Sequence, residues 1–223
     1  MSPRRYRMGQ RDAAAERTRT RILTAARELL ATLREFSEFS VDAVAHKSGV
    51  ARMTVYYQFG SKAGLLEALY ENLVGRNETL QLADANRKAD SLSALLEFVD
   101  VFVRVWSSDR NVIRRMHALA ALDPGLAQSV QMRSANRRHE LEMILKRVRG
   151  QYGHPGFSKF SEALEIVYML TSFETFDHLA AATRKPSEVA DAIKRMALAT
   201  VVLHGAEIES GRVQVVARTP KAS

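Results

Sequence analysis

A single glycine between two short apolar helical patterns, within residues 40–62, constrains this chain more than any other feature. Val41, Val44 and Ala45 share one face of a short helix predicted over about 41–47, and Ser40 is placed to cap its first turn. Gly49 supplies the turn, where positive φ costs glycine little. Val50 and Val55 carry the apolar set into a second helix at about 51–57. Ala45 is small where a crossing helix must come close. This is the layout of a helix-turn-helix, whose second helix can enter a DNA major groove. A hairpin inside an ordinary helical core would not need Arg52, Thr54, Tyr57 and Gln58 on that helix's remaining face.

The charge distribution points the same way. Residues 1–64 hold 12 Lys/Arg against 6 Asp/Glu, whereas residues 65–223 hold 21 against 19. Most of the net charge of +8 therefore lies with the helix-turn-helix. Arg4, Arg5, Arg7 and Arg11 precede the first acidic residue, Asp12, and such an arm can follow phosphates or enter a minor groove. As a solubilising tail it would read equally well. The chain has no cysteine, which excludes disulfides and thiolate chemistry. No apolar run is long enough to span a bilayer, and no apolar stretch follows the basic N-terminus as in a secretory signal. A soluble cytoplasmic protein fits best.

Helical periodicity continues along the chain. Ile22, Leu23, Ala26, Leu29, Leu30 and Leu33 predict a helix from about Asp12 to Leu33. Ser61 caps a helix whose stripe runs from Leu65 and Leu66 to Leu73 and Val74. Asp90 or Ser91 starts a strongly apolar helix, and Asp109 starts the next. Asp123-Pro124 opens a long one reaching about Arg149, with arginines on its outer face. Two long helices follow, at about 158–183 and 187–209, the second capped by Ser187. Their wide apolar faces predict a self-associating pair. The fold class is all-α.

Candidate sites follow from this placement. Arg52 and Gln58 can form hydrogen bonds to base edges, and a tyrosine hydroxyl can reach phosphate while its ring packs. Met53, Thr54, Tyr56 and Tyr57 share or border that face, with Tyr56 expected to be the more buried tyrosine and Tyr57 to face DNA. Lys62 waits at the start of the next helix, and Ser40 and Arg19 complete the candidate DNA-contact set. No two of the six histidines are spaced i, i+3 or i+4, and there is no HExxH, GxSxG, Walker A or strand-to-helix GxGxxG pattern. No catalytic residue, metal site or cofactor is therefore expected, and the chain does not read as an enzyme.

The run Ser40-Val41-Asp42-Ala43-Val44-Ala45, then Gly49-Val50, then Thr54-Val55-Tyr56-Tyr57-Gln58-Phe59 and Ser61-Lys62 with Leu65-Leu66, resembles the tetracycline-repressor (TetR) family over roughly residues 15–75. Two positions depart from that pattern. Glu35 stands where the family usually has a glycine, and Ala51 where a serine or threonine often caps the recognition helix. The resemblance implies a basic flexible arm at 1–11 and a DNA-binding domain at 12–75 with its helix-turn-helix at about 40–59. It also implies an effector-binding and dimerisation domain at 76–210, with a tail at 211–223. The matching family positions touch bases and phosphates, and the one matching Lys62 binds phosphate. By the same resemblance the last two long helices form a four-helix bundle in a homodimer. An effector cavity would lie among the central helices, lined by some of Phe102, Trp106, His117, Tyr168 and Phe173. The implied function is a homodimeric repressor on double-stranded DNA carrying a near-palindromic operator, released by a small apolar or amphipathic ligand. Three rivals remain: a DNA-binding regulator without an effector, a helical enzyme, and a membrane-surface binder. The last is weakened because the first helix has no bulky apolar face to spare.

Overall fold

Helix α1 spans Pro3–Thr32, beginning well before the Asp12 expected to cap it. Proline is tolerated in a first turn, and between residues 4 and 11 only Gly9 weakens helix propensity, so nothing stops the helix earlier. The computed structural model describes residues 3–75, 82, 84, 87–152, 160–180, 184–203, 208–209 and 212–213, with 3–11, 202–203 and the last four as backbone only. After α1 the chain turns through Glu35 in extended conformation (φ −125°, ψ 142°) and a 3-10 turn at Phe36–Glu38. Any residue adopts that extended backbone, which explains why glutamate can replace glycine there. The turn delivers Phe39 into the core, 1% exposed.

Helix α2 (Val41–Ser48) starts as its sequence predicts, with Ser40 Oγ accepting from the Ala43 N–H at 3.1 Å. It stops at Gly49, which is left-handed at φ 63° and ψ 38°. The Gly49 N–H bonds the His46 carbonyl and the Val50 N–H bonds the Ala45 carbonyl, a Schellman motif that satisfies two of the last carbonyls of the helix. Helix α3 (Arg52–Phe59) follows. Its N-cap, Ala51, offers no side-chain acceptor. Ala51→Ser is therefore expected to raise stability by about 0.5–2 kcal/mol in denaturant melts; no gain would mean that water already caps the helix fully.

Helix α3 ends at Gly60, another positive-φ residue (φ 73°), which the helical pattern of the sequence does not single out. Helix α4 (Lys62–Tyr70) is capped by Ser61, whose Oγ accepts from the Gly64 N–H at 2.9 Å. Its predicted stripe does not continue as plain α-helix: Glu71–Gly75 forms a π-turn, with Val74 still buried.

The remaining helices are α5 (Ser91–Ser108), α6 (Arg110–Ala120), α7 (Pro124–Tyr152), α8 (Phe160–Leu170), α9 (Phe173–Leu179) and α10 (Pro186–Leu203). They distribute over two units. One comprises Met1–Gly75 with Asn111–Gln131, the other Arg76–Arg110 with Met132–Ser223.

The first unit buries Ile22, Ala26 and Leu30 of α1 with Val44, Val55, Leu65, Leu69 and Tyr70. Val112, Ile113, Met116 and Leu126 belong to the same unit and are also fully buried. Arg115 of α6 donates to the Leu30 carbonyl near the end of α1. As predicted, Asp123 caps α7, accepting from the Leu126 N–H at 3.0 Å.

In the second unit, α5 packs against α9 and α10, and α8 against α10. The helix expected at 158–183 is in fact two. Ser172 (φ −72°, ψ 159°) leaves helical conformation and caps α9 through the Thr175 N–H. Thr171 Oγ1 turns back onto the Val167 and Tyr168 carbonyls, the local competition by which threonine bends helices. Residues 158–159 and 181–183 of that range lie outside the described residues. The start of α10 also differs from expectation. Pro186 occupies its first position, and Glu188 reaches back to the Lys185 N–H at 3.0 Å, so Ser187 is not the cap. Rather than continuing to 209, α10 ends at Leu203, and Ile208–Glu209 pairs antiparallel with Arg212–Val213.

Asp90 caps α5 as predicted, accepting from the Ser93 N–H at 2.8 Å. It also accepts from the Ser93 and Tyr152 hydroxyls, both at 2.5 Å. These bonds, with that of the Ser93 hydroxyl foremost, hold its carboxyl down at about 2, below the ordinary 3.8. A depressed carboxyl stabilises the fold fully above its ordinary value, and that contribution is lost as pH falls through about 2. The site is exposed, so the effect is screened and modest. Asp90→Asn should flatten this part of the acid limb of a melting-temperature profile. An unchanged profile between pH 4 and 2 would refute the assignment.

Candidate nucleic-acid interface

Helix α3 buries one residue fully, Val55 at 1% exposure, and this fixes which side of the helix faces out. Met53 is 72% exposed and Tyr57 is 89% exposed, four residues apart on one face. A methionine and a tyrosine thus stand on the open side of a short helix. Tyr56 is half-buried, so it is the more buried of the two tyrosines, as expected. Thr54 and Gln58 are half-buried at the edges of the face.

Arg52 opens the helix and is exposed. Its Nη1 lies 2.9 Å from Asp42 Oδ2, and its Nη2 donates to the Tyr56 hydroxyl at 3.2 Å. The guanidinium carbon sits 5.5 Å from the centre of the Tyr56 ring. The Tyr56 hydrogen bond and, next, the charge of Asp42 raise the guanidinium pKa further, so the group stays charged. Asp42 was absent from the sequence-predicted set. The available signal was its place in the first turn of α2 beside the start of α3.

At the other end of α3, Arg19 donates to the Gln58 carbonyl at 3.2 Å and lies 4.5 Å over the Phe59 ring. This pins the last turn of α3 to α1, with a cation where helical carbonyls point. Ser40 spends its hydroxyl on capping α2. Lys62 is exposed at the first position of α4, its ammonium 5.6 Å from the Phe39 ring. A cation beside the free N–H groups of a helix start suits a phosphate.

The second predicted site divides. Phe102, Trp106 and Phe173 form a row of ring contacts, tilted and then edge-on, with ring centres 5.9 and 5.7 Å apart, and Phe98 extends the row at 4.8 Å from Phe102. All four are at most 5% exposed, and Trp106 Nε1 donates to the Thr171 carbonyl at 3.0 Å. Tyr168 joins this group through Arg137, whose guanidinium carbon lies 4.0 Å from the Tyr168 ring and 5.6 Å from that of Phe102. His117 does not join them. It belongs to the first unit, where its Nε2 is 3.4 Å from the Tyr70 hydroxyl.

Arg137 is an exception among the arginines of α7, many of which are expected on its outer face. It is 5% exposed, and its Nη1 donates to the Tyr168 carbonyl and to Thr171 Oγ1, both at 2.8 Å. The signal was periodicity: Arg137 stands four residues before Leu141, in line with Ile144 and Val148.

Residues 22–69 match the model for bacterial regulatory proteins of the tetR family. A search of curated protein sequences returns no match. Among solved structures, a transcriptional regulator from Rhodococcus sp. Rha1 is similar at 18% identity, covering 82% of this chain and 95% of that one, with TM-score 0.65. NalD, the secondary repressor of the MexAB-OprM multidrug efflux pump in Pseudomonas aeruginosa, is 22% identical over 84% and 96% of the two chains, TM-score 0.62. PfmR, a TetR family transcriptional regulator from Thermus thermophilus, is 18% identical over 81% and 96%, TM-score 0.63. At such identities these likenesses concern the fold. Among the described residues no helix is long and apolar enough to cross a membrane. The family match falls on the segment that builds the exposed face of α3: residues 22–69 of this chain are similar to the N-terminal region of bacterial regulatory proteins of the tetR family.

Proposed function

We propose that this protein is a cytoplasmic, non-enzymatic homodimeric repressor that reads a near-palindromic operator and is released by a small apolar or amphipathic ligand. The observation that carries the reading is the exposed face of α3, where Met53 and Tyr57 project beside Arg52 from a helix anchored by Val55. In this reading Arg52 reads a base edge and Tyr57 supports it, with Met53, Thr54 and Gln58 along the groove. Lys62 secures the flanking backbone, while Tyr56 steadies Arg52, Ser40 caps α2 and Arg19 pins the end of α3. Two such helices, one per subunit, would occupy major grooves about one helical turn apart.

Dimerisation through α8–α9 and α10 is supported by apolar side chains left in the open: Met169 on α8 is 57% exposed and Met196 on α10 is 38% exposed. The aromatic row of the second unit, with Tyr168 and Arg137, is the proposed effector region. A ligand there acts only through its different affinity for the DNA-binding and DNA-free states. NalD, similar in fold, is described as a repressor, which supports that sign of regulation. The close ring contacts and the satisfied Trp106 N–H favour a second reading, in which the same domain is a filled core and the regulator answers to no small molecule.

Selection of bound duplexes from random DNA tests the proposal. Enrichment of a near-palindrome is expected, bound with an affinity that falls steeply with salt because several phosphates are neutralised together. Failure to enrich any sequence, or binding indifferent to salt, would overturn it.

A further inference from the structure

The geometry points to Asp42 as a specificity-determining residue: its carboxylate, with the Tyr56 hydroxyl, holds the Arg52 guanidinium in place for a base edge and keeps it from pairing with phosphate. This rests on the reading of α3 as the recognition helix. Asp42 lies on α2 and Tyr56 one turn along α3, so the two terminal nitrogens of Arg52 are held from two elements, at 2.9 and 3.2 Å. The pair contributes little to folding, because both partners are more than half exposed (57% and 61%). What it does change is the state of Arg52 before DNA arrives.

A free arginine side chain samples many rotamers and loses that freedom on binding. One already held has less to lose, which favours the contact that accepts its pose. The held fork retains further N–H donors for a guanine O6/N7 edge, where a bidentate contact discriminates most. The neighbouring carboxylate also cancels a charge that would otherwise attract any phosphate on any sequence. Lys47 with Glu28, at 3.0 Å, is a second exposed ion pair of the same unit, and neither partner lies on α3. It provides a charge-matched control.

The test measures Kd for the selected duplex and for a scrambled duplex of equal length, over a series of salt concentrations. Asp42→Asn is expected to tighten the scrambled duplex with a salt slope steeper by about one. It should also reduce the ratio of selected to scrambled affinity about tenfold, relaxing one base pair per half-site. Asp42→Glu should restore most of the ratio. Glu28→Gln should shift both duplexes by the same factor, and Asp42→Asn should leave the ratio unchanged in an Arg52→Ala background. The inference is overturned if Asp42→Asn behaves like Glu28→Gln, or if its effect on the ratio persists without Arg52. If the wild-type protein selects no duplex, the reading of α3 fails first and this inference with it.

Discussion

Gly64→Ala should destabilise the first unit by about 3 kcal/mol and weaken DNA binding with it. A Cβ at Gly64 would lie 2.2 Å from the Phe59 carbonyl oxygen. That oxygen is backbone and already accepts from the Ser61 N–H at 2.8 Å, so it cannot rotate aside. The last turn of α3 or the first turn of α4 has to move, and either displacement shifts Tyr57 or Lys62. Two other glycines calibrate the result. A Cβ at Gly125 would meet Glu67 Oε1 at 2.7 Å, but this is the far end of a flexible side chain, so Gly125→Ala should cost little. Gly150, within α7, has open space around it, and Gly150→Ala should stabilise by about 0.5–1 kcal/mol. Denaturant melts of the three variants give the order. Gly64→Ala proving as stable as wild type would mean that the α3–α4 junction is far more yielding than its geometry indicates.

Arg137→Ala is expected to cost the second unit about 2–5 kcal/mol. The substitution leaves a cavity beside Phe102 and Tyr168 and removes the donor from the Tyr168 carbonyl and Thr171 Oγ1 at the break between α8 and α9. Arg137→Lys keeps the charge but not the planar fork, and should recover only part of the loss. Trp106, the sole tryptophan, bonds the carbonyl of the same Thr171, so its emission reports on the site directly. A red shift in Arg137→Ala that precedes global unfolding is expected. An unshifted spectrum with unchanged stability would show that the guanidinium is dispensable there.

What was legible in the sequence was what local chemistry decides. The Ser40 cap, the left-handed Gly49, the inward Val55 and the outward Tyr57 each follow from a residue and its neighbours within one or two turns. The features that escaped depend on partners distant in sequence, or on competition between two locally acceptable states. Residues 158–183 read as one helix because their apolar spacing is unbroken. The interruption at Thr171 and Ser172 comes from hydroxyls that bond backbone, supported by Trp106 and Arg137 from other helices. Arg137 reads as one more outer-face arginine because arginine is usually outside, although its register matches the core. Asp42 looked like an ordinary first-turn acid until α3 was folded against it.

The first unit is written in two pieces of chain, residues up to Gly75 and residues from Asn111 to Gln131. Val112, Ile113, Met116 and Leu126 of the second piece are wholly buried, and Arg115 and His117 bond the Leu30 carbonyl and the Tyr70 hydroxyl of the first. Exchanging DNA-reading heads between regulators of this kind by a single crossover after Gly75 would therefore strand a new α4 against a foreign α6. A working hybrid needs two seams, because the first unit carries Asn111–Gln131 along with the residues up to Gly75.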